Sequence, residues 1–221
     1  MTRAAWYARR WVKGTIFGVA LLLAVLVGLY ALMQYAFYDP STDTRATVIF
    51  AKQPVAIVLH AVGASFAPLI GLLQWSTRLR RRWPMLHRWL GRVYLVMGVA
   101  IGGSAALWLS FFAYGGPLAR TGVAAMGVLW IFVSMQAFLF IRRGDVYAHR
   151  VWMLLSVALA MGAATLRVYL PLLTVADVPF LYAYWFAAWG SWLSKLAIAE
   201  LLLRRERATR SATLRVPAAR T

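Results

Sequence analysis

Six stretches of the chain are apolar over the length a helix needs to cross a bilayer, about 20 residues. They run from Gly14 to Phe37, Pro54 to Trp75, His87 to Tyr114, Thr121 to Ile141, Ala148 to Leu173 and Phe180 to Leu203, with the polar residues gathered in short connections between them. The first follows a basic stretch, as a signal peptide would. It is longer than the apolar region of about 7–15 residues such a peptide carries, and it lacks a small-residue cleavage site, so it reads as a retained helix. The pattern predicts an all-α, polytopic membrane protein. Residues 1–13 form a basic N-terminus, 14–203 a six-helix transmembrane domain, and 204–221 a basic, disordered tail.

Composition supports the same picture. Of 221 residues 62% are hydrophobic and only 14% charged, and the charge is mostly of one sign: 24 Lys plus Arg against 6 Asp plus Glu. A soluble domain carries about a quarter charged residues. A net charge of +18 often signals nucleic acid, but here the basic residues stand in clusters between apolar runs and make no stripe along a polar face. No nucleic-acid partner is implied. The absence of cysteine excludes disulfides and thiolate metal sites.

The clusters also give an orientation, because basic residues beside helix ends resist translocation. Eighteen lie in the N-terminus, the second and fourth connections and the tail, whereas Arg45, Lys52 and Arg120 are alone on the other side. Both termini are therefore expected in the cytoplasm, in a multi-pass protein of the inner (plasma) membrane whose basic face meets anionic lipid.

A repeat lies within this frame. Shifting the chain by 62 residues brings Gln74 onto Gln136, Arg80 and Arg81 onto Arg142 and Arg143, and His87–Arg88 onto His149–Arg150, then Gly98 onto Ala160. Helices two and three, and four and five, read as a duplicated hairpin, with both histidines at the same depth near the cytoplasmic side. At 3.6 residues per turn, His87, Gly91, Tyr94, Gly98 and Gly102 share a face of helix three; His149, Ser156, Ala160 and Arg167 share one of helix five. Small residues let helices approach closely in a membrane, so these faces point into the bundle. Arg167 lies five turns beyond His149, near the outer surface, and His60 reaches a comparable depth from the outer end of helix two.

Ionisable groups inside a bilayer are costly and mark candidate sites. Each also has a plainer reading: His87 and His149 as interfacial helix-start residues, Arg167 as a side chain reaching for the outer headgroups. Other chemistry finds no support. Gly102–Gly103 and Gly115–Gly116 have no following Lys-Ser/Thr, so there is no phosphate loop, and no Ser, His and carboxylate set stands at one depth.

The ordered segments HAVGASFAPLIGLLQ, HRWLGRVY, GDVYAHRVWMLLSVALAMGAATLRVYLPLL and WLSKLAIAELLLRR resemble a widespread bacterial family of predicted multi-spanning membrane proteins, a domain of unknown function. The resemblance covers about Pro54 to Arg205. Its most specific marks are the two His-Arg pairs and the Leu-Arg of helix five. In the last helix this chain has Lys195 where an asparagine is expected. The resemblance implies no activity.

Two functional classes fit the residues. In the first, His87 and His149 bind one b-type haem between helices three and five, Gly91 and Gly98 make room for the porphyrin, Arg88 and Arg150 stand near the propionates, and a quinone or another redox partner exchanges electrons. Three histidines in all allow at most one bis-histidine haem. In the second, a non-redox permease or membrane sensor uses an outer pocket at His60 and Arg167.

Overall fold

A computed structural model describes residues 14–15, 17–26, 28–30, 33 and 52–215. Its helices are α1 (Phe17–Tyr30), α2 (Pro54–Gln74), the short α3 (Thr77–Arg82), α4 (Pro84–Ser110), α5 (Gly116–Arg142), α6 (Val146–Val175) and α7 (Phe180–Arg215), and no strand occurs among the described residues. Five of these, α2 and α4 to α7, are long and apolar enough to cross a bilayer. Large apolar side chains cover their outer faces, among them Val55, Phe66, Val96, Phe132, Met135 and Leu201. An outward apolar coat on helices that also bury an apolar core is the mark of a bundle set in lipid. The C-terminal end of the first expected span, the basic N-terminus (1–13) and the Asp39 to Asp43 loop lie outside the described residues.

Local chemistry fixes where the helices begin and end. Pro54, Pro84 and Pro117 occupy first-turn positions, where a missing N–H is harmless. The Ser76 hydroxyl caps α3 by accepting from the Leu79 N–H at 3.2 Å. Between α5 and α6 the chain reverses through a left-handed Gly144, φ 81°. The N–H of Asp145 returns to the Phe140 carbonyl and that of Gly144 to Ile141, a Schellman closure. Asp145 then accepts from the Ala148 N–H at 2.9 Å and so starts α6.

Two of the long helices are not uniform. The stretch Tyr94–Gly103 of α4 is π-helical between α-helical ends, and α6 breaks at Met161 into Val146–Ala160 and Gly162–Val175. The last helix does not stop at the membrane: residues 204–215, expected as an irregular tail, continue α7 as helix.

The heaviest packing runs within the hairpins, α2 on α4 and α5 on α6; across them, α2 meets α6 and α5 meets α4. The four helices therefore form a ring in the order α2, α4, α5, α6, and α7 lies outside it against α5 and α6. Helices α4 and α6, the third and fifth expected spans, stand on the diagonal. They are not the neighbours that the haem reading assumed, because each hairpin partner and each cross-hairpin helix lies between them. Their side chains still meet at the centre. Tyr94 bonds Ser156, and these two are 62 residues apart, the offset of the repeat itself. Equivalent positions of the two hairpins thus face each other as across a two-fold axis along the membrane normal.

Candidate functional site

Polar side chains inside the bundle fall into three layers. We call the end carrying Arg80 to Arg82 and Arg142 and Arg143 the basic end, and the end at Pro54, Gly115 and Pro179 the far end.

At the basic end, His87 and His149 each lie in the first turn of a helix, Pro84 starting one and the Asp145 cap the other. Both rings are half-buried and close enough for their charges to interact, with Arg80 as a further charge on His87. The Nδ1 of His149 lies 2.8 Å from the Ala137 carbonyl of α5. A carbonyl only accepts, so Nδ1 carries the proton and Nε2 presents its lone pair. The Nδ1 of His87 is buried with no hydrogen-bond partner, while its backbone carbonyl accepts from the Gln74 amide at 3.2 Å. Arg80 returns from α3 to donate to the Gln74 carbonyl at 3.0 Å. Burial, then the guanidiniums of Arg150 and Arg81, holds Arg80 below the ordinary arginine range. The result is a cluster of two imidazoles and two guanidiniums at the start of two helices, a place where an anion would be stabilised.

Sequence spacing had named Arg88 beside His87. Arg88, like Arg150, is exposed, and the arginine whose charge acts on the His87 ring is Arg80. No periodicity rule reveals this, because Arg80 belongs to a separate short helix. Gly91 and Gly98 part company as well. A Cβ built on Gly91 meets no atom within 4 Å, whereas one on Gly98 lies 2.9 Å from the Ala67 Cβ. Gly91 borders open space one turn above His87; Gly98 is a packing residue, pressed onto α2 and lining no slot. The same close approach continues at Gly63, where a Cβ would run into the Met97 carbonyl and lie 2.7 Å from the Gly102 Cα. Small residues on both helices allow it.

The middle layer was not foreseen. Tyr94, Ser134 and Ser156 are 0% exposed and Trp130 is 4% exposed, which leaves no solvent or lipid to satisfy their polar atoms. They satisfy one another. The Trp130 indole N–H donates to the Tyr94 oxygen at 3.1 Å. Tyr94 and Ser156 are 2.6 Å apart, as are Ser156 and Ser134, and Ser134 donates to the Trp130 carbonyl at 2.6 Å. Since the indole can only donate and the carbonyl only accept, every proton is assigned: Tyr94 donates to Ser156, and Ser156 to Ser134. The chain of bonds begins and ends on Trp130. The repeat offset carries Tyr94 onto Ser156 and could have pointed to this layer.

At the far end, His60 of α2 and Arg167 of α6 are both half-buried, and the Arg167 charge acts on the His60 ring. His60 Nδ1 bonds the Gly102 carbonyl at the end of the π-helical stretch, 3.1 Å away. Arg167 Nη1 donates to the Ala163 carbonyl at 3.1 Å. Trp185 and Trp189 fasten α7 to the start of α5 here, through the Gly115 carbonyl at 2.7 Å and the Leu118 carbonyl at 2.9 Å. No group of three or more His, Cys, Asp or Glu able to hold a metal ion occurs among the described residues.

No curated protein and no solved structure matches the chain. A family profile does, over residues 57–203, which takes in α2 to the apolar part of α7 and all three polar layers. The chain belongs to the predicted membrane protein family DUF2306, a family of unknown function.

Proposed function

We propose that the chain is a six-span inner-membrane protein with both termini in the cytoplasm, and that it binds one b-type haem at the basic end, with His87 and His149 as axial ligands, to serve electron transfer. The orientation rests on the basic residues at one end. One observation carries the haem reading: two histidines at equivalent positions of the repeat converge from diagonal helices, with His149 Nε2 left as a lone pair and His87 Nδ1 buried without a partner.

The diagonal placement suits such a group better than adjacency. Neighbouring helix axes lie about 8–10 Å apart, too close for two imidazoles with an iron between them at metal–nitrogen distances near 2.0 Å. The diagonal of such a ring is about 11–14 Å. The Ala137 carbonyl orients the His149 ring as an outer-shell partner orients a metal-bound histidine. His87 is seven residues, about 10 Å, below Tyr94, and a Cβ built on Gly91, one turn above His87, meets no atom within 4 Å. Arg80 and Arg150 would face the propionates. A passage along the bundle axis finds less support, because the buried Tyr94, Ser156, Ser134 and Trp130 fill the middle layer.

The test is the absorption spectrum of the full-length protein purified from haem-replete cells. A Soret band is expected, lost in His87→Ala and in His149→Ala while both variants remain inserted and keep their unfolding transition. A colourless protein that takes up no added haemin overturns the reading.

A further inference from the structure

Between Phe180 and Leu203 the α7 helix carries a single cation, Lys195, and no ion pair or hydrogen bond holds its ammonium among the described residues. The sequence explains why. The six Asp and Glu stand at positions 39, 43, 145, 177, 200 and 206, so the only one within an apolar span is Glu200 near the end of α7, and it is bound to Arg204 at 2.9 Å. Even the nearest hydroxyl is left alone: Ser191, one turn from Lys195 on the same face, is buried and its oxygen has no partner. An unpaired charge inside a bilayer is costly, and such groups are neutralised by a neighbour.

Depth decides what that neighbour can be. Lys195 lies eight residues, about 12 Å, from Leu203 and fifteen residues, about 22 Å, from Phe180. Cα–Cβ bonds tilt toward a helix N-terminus, so the side chain leans away from the nearer, basic end and toward the middle of the membrane. Reaching for the headgroups is thereby disfavoured, and a lipid anion held at the surface stays out of range. A second copy of the chain brings no free carboxylate to that depth either. A carboxylate carried on another protein's spanning helix does reach it.

The surface around Lys195 suits a helix. α7 lies outside the ring of four, and Ile198 and Leu202, three and seven residues beyond the part-exposed Lys195, are exposed in one strip with it. Ser191 and Ala199, four residues to either side, are buried. Lys195 therefore stands at the edge between the packed face of α7 and its open one.

We propose that this strip of α7 docks a membrane-spanning helix of another protein that carries an Asp or Glu at the depth of Lys195, its carboxylate accepting from the ammonium. The surface is separate from the two histidines of the basic end.

Association is read by energy transfer between the labelled full-length protein and a labelled polyleucine spanning helix in phosphatidylcholine vesicles. The helix carries a single Asp about 12 Å from one end, a Leu at that place, or the Asp at its terminus. The helix with the inner Asp is expected to associate about tenfold more tightly than the Leu helix, the effect of one hydrogen bond to a charged group, and Lys195→Gln removes the preference. Equal association of the two helices with the unaltered protein overturns the proposal. So does a preference that survives Lys195→Gln, or one that is the same with the Asp at the terminus. Displacement of the Asp helix by oleate but not by oleyl alcohol overturns it in favour of a lipid anion, and Lys195-dependent energy transfer between two copies of the protein overturns it in favour of self-association. The comparison of helices on unaltered protein decides the matter even where the variant misfolds, and it reads the same with or without a Soret band.

Discussion

Replacing Ser156 by alanine removes one oxygen and almost no volume, so its effect isolates the hydrogen-bonded layer at the centre of the bundle. Two bonds of 2.6 Å disappear, to Tyr94 and to Ser134. Ser134 keeps its donation to the Trp130 carbonyl, but the Tyr94 hydroxyl, 0% exposed, is left with a proton and nowhere to place it. An orphaned buried donor costs about 1–3 kcal/mol. Measured interhelical bonds in membrane proteins average lower, about 0.6 kcal/mol, because the unfolded chain in lipid also finds partners; the closed layer offers Tyr94 no such partner in the folded state, so a loss of about 1–2 kcal/mol is expected. Tyr94→Phe instead orphans the Trp130 indole N–H and should cost a similar amount. The double variant loses the Tyr94 hydroxyl together with the need to satisfy it, and only the indole remains unpaired. Its cost should therefore fall short of the sum of the singles by about 1 kcal/mol or more. Equilibrium unfolding in mixed micelles, titrated with denaturing detergent, measures all three. Strict additivity, or a Ser156→Ala variant as stable as the parent, would refute the proton assignment.

The two glycines of the α2–α4 contact and Gly91 outside it should rank by the space around them: Gly63→Ala destabilises most because its Cβ meets the Met97 backbone, Gly98→Ala less because it meets the Ala67 side chain, and Gly91→Ala leaves the unfolding transition unchanged. Thermal melting of the three variants checks the order, and an equal effect at all three positions would contradict the close approach. For topology, a periplasmic reporter fused after Arg205 should be inactive and one placed between Asp39 and Asp43 active; the reverse activities would invert every depth assigned to the histidines.

Hydropathy sufficed for the spanning helices because a bilayer imposes a minimum length on each, and α2, α4, α5 and α6 fall where the apolar runs lie. The repeat was legible too, through residues as specific as His87–Arg88 and His149–Arg150. Adjacency was not. A periodic face says that His87 and His149 point inward, but it does not say which helix stands opposite, and the ring order puts α2 and α5 between them. The wider π-helical turn from Tyr94 to Gly103 also shifts every face computed at 3.6 residues per turn. Gly98 and Gly102 accordingly meet α2, and the Gly102 carbonyl comes within reach of His60. The place of Arg80 beside His87 was not legible for a different reason: Ser76 caps a separate short helix, which folds the arginine back onto Gln74.

The meeting of Tyr94 with Ser156 bears on how such a bundle could have arisen. Two identical hairpins associating as a dimer would place like against like on their shared axis. Two tyrosines there would collide, and two serines would leave a void. Joining the copies in one chain lifts that restriction, since each half can then mutate alone. A large residue on one side and a small one on the other fill the axis and close a hydrogen-bond circuit that a symmetric ancestor could not have built. The same freedom explains why the far end is unpaired: the counterpart of His60 in the second hairpin is Gly122, whose missing side chain admits the Trp189 ring. Half of the duplicated frame kept its symmetry in the two histidines, and the other half diverged, with one imidazole and one guanidinium at unrelated positions of the repeat.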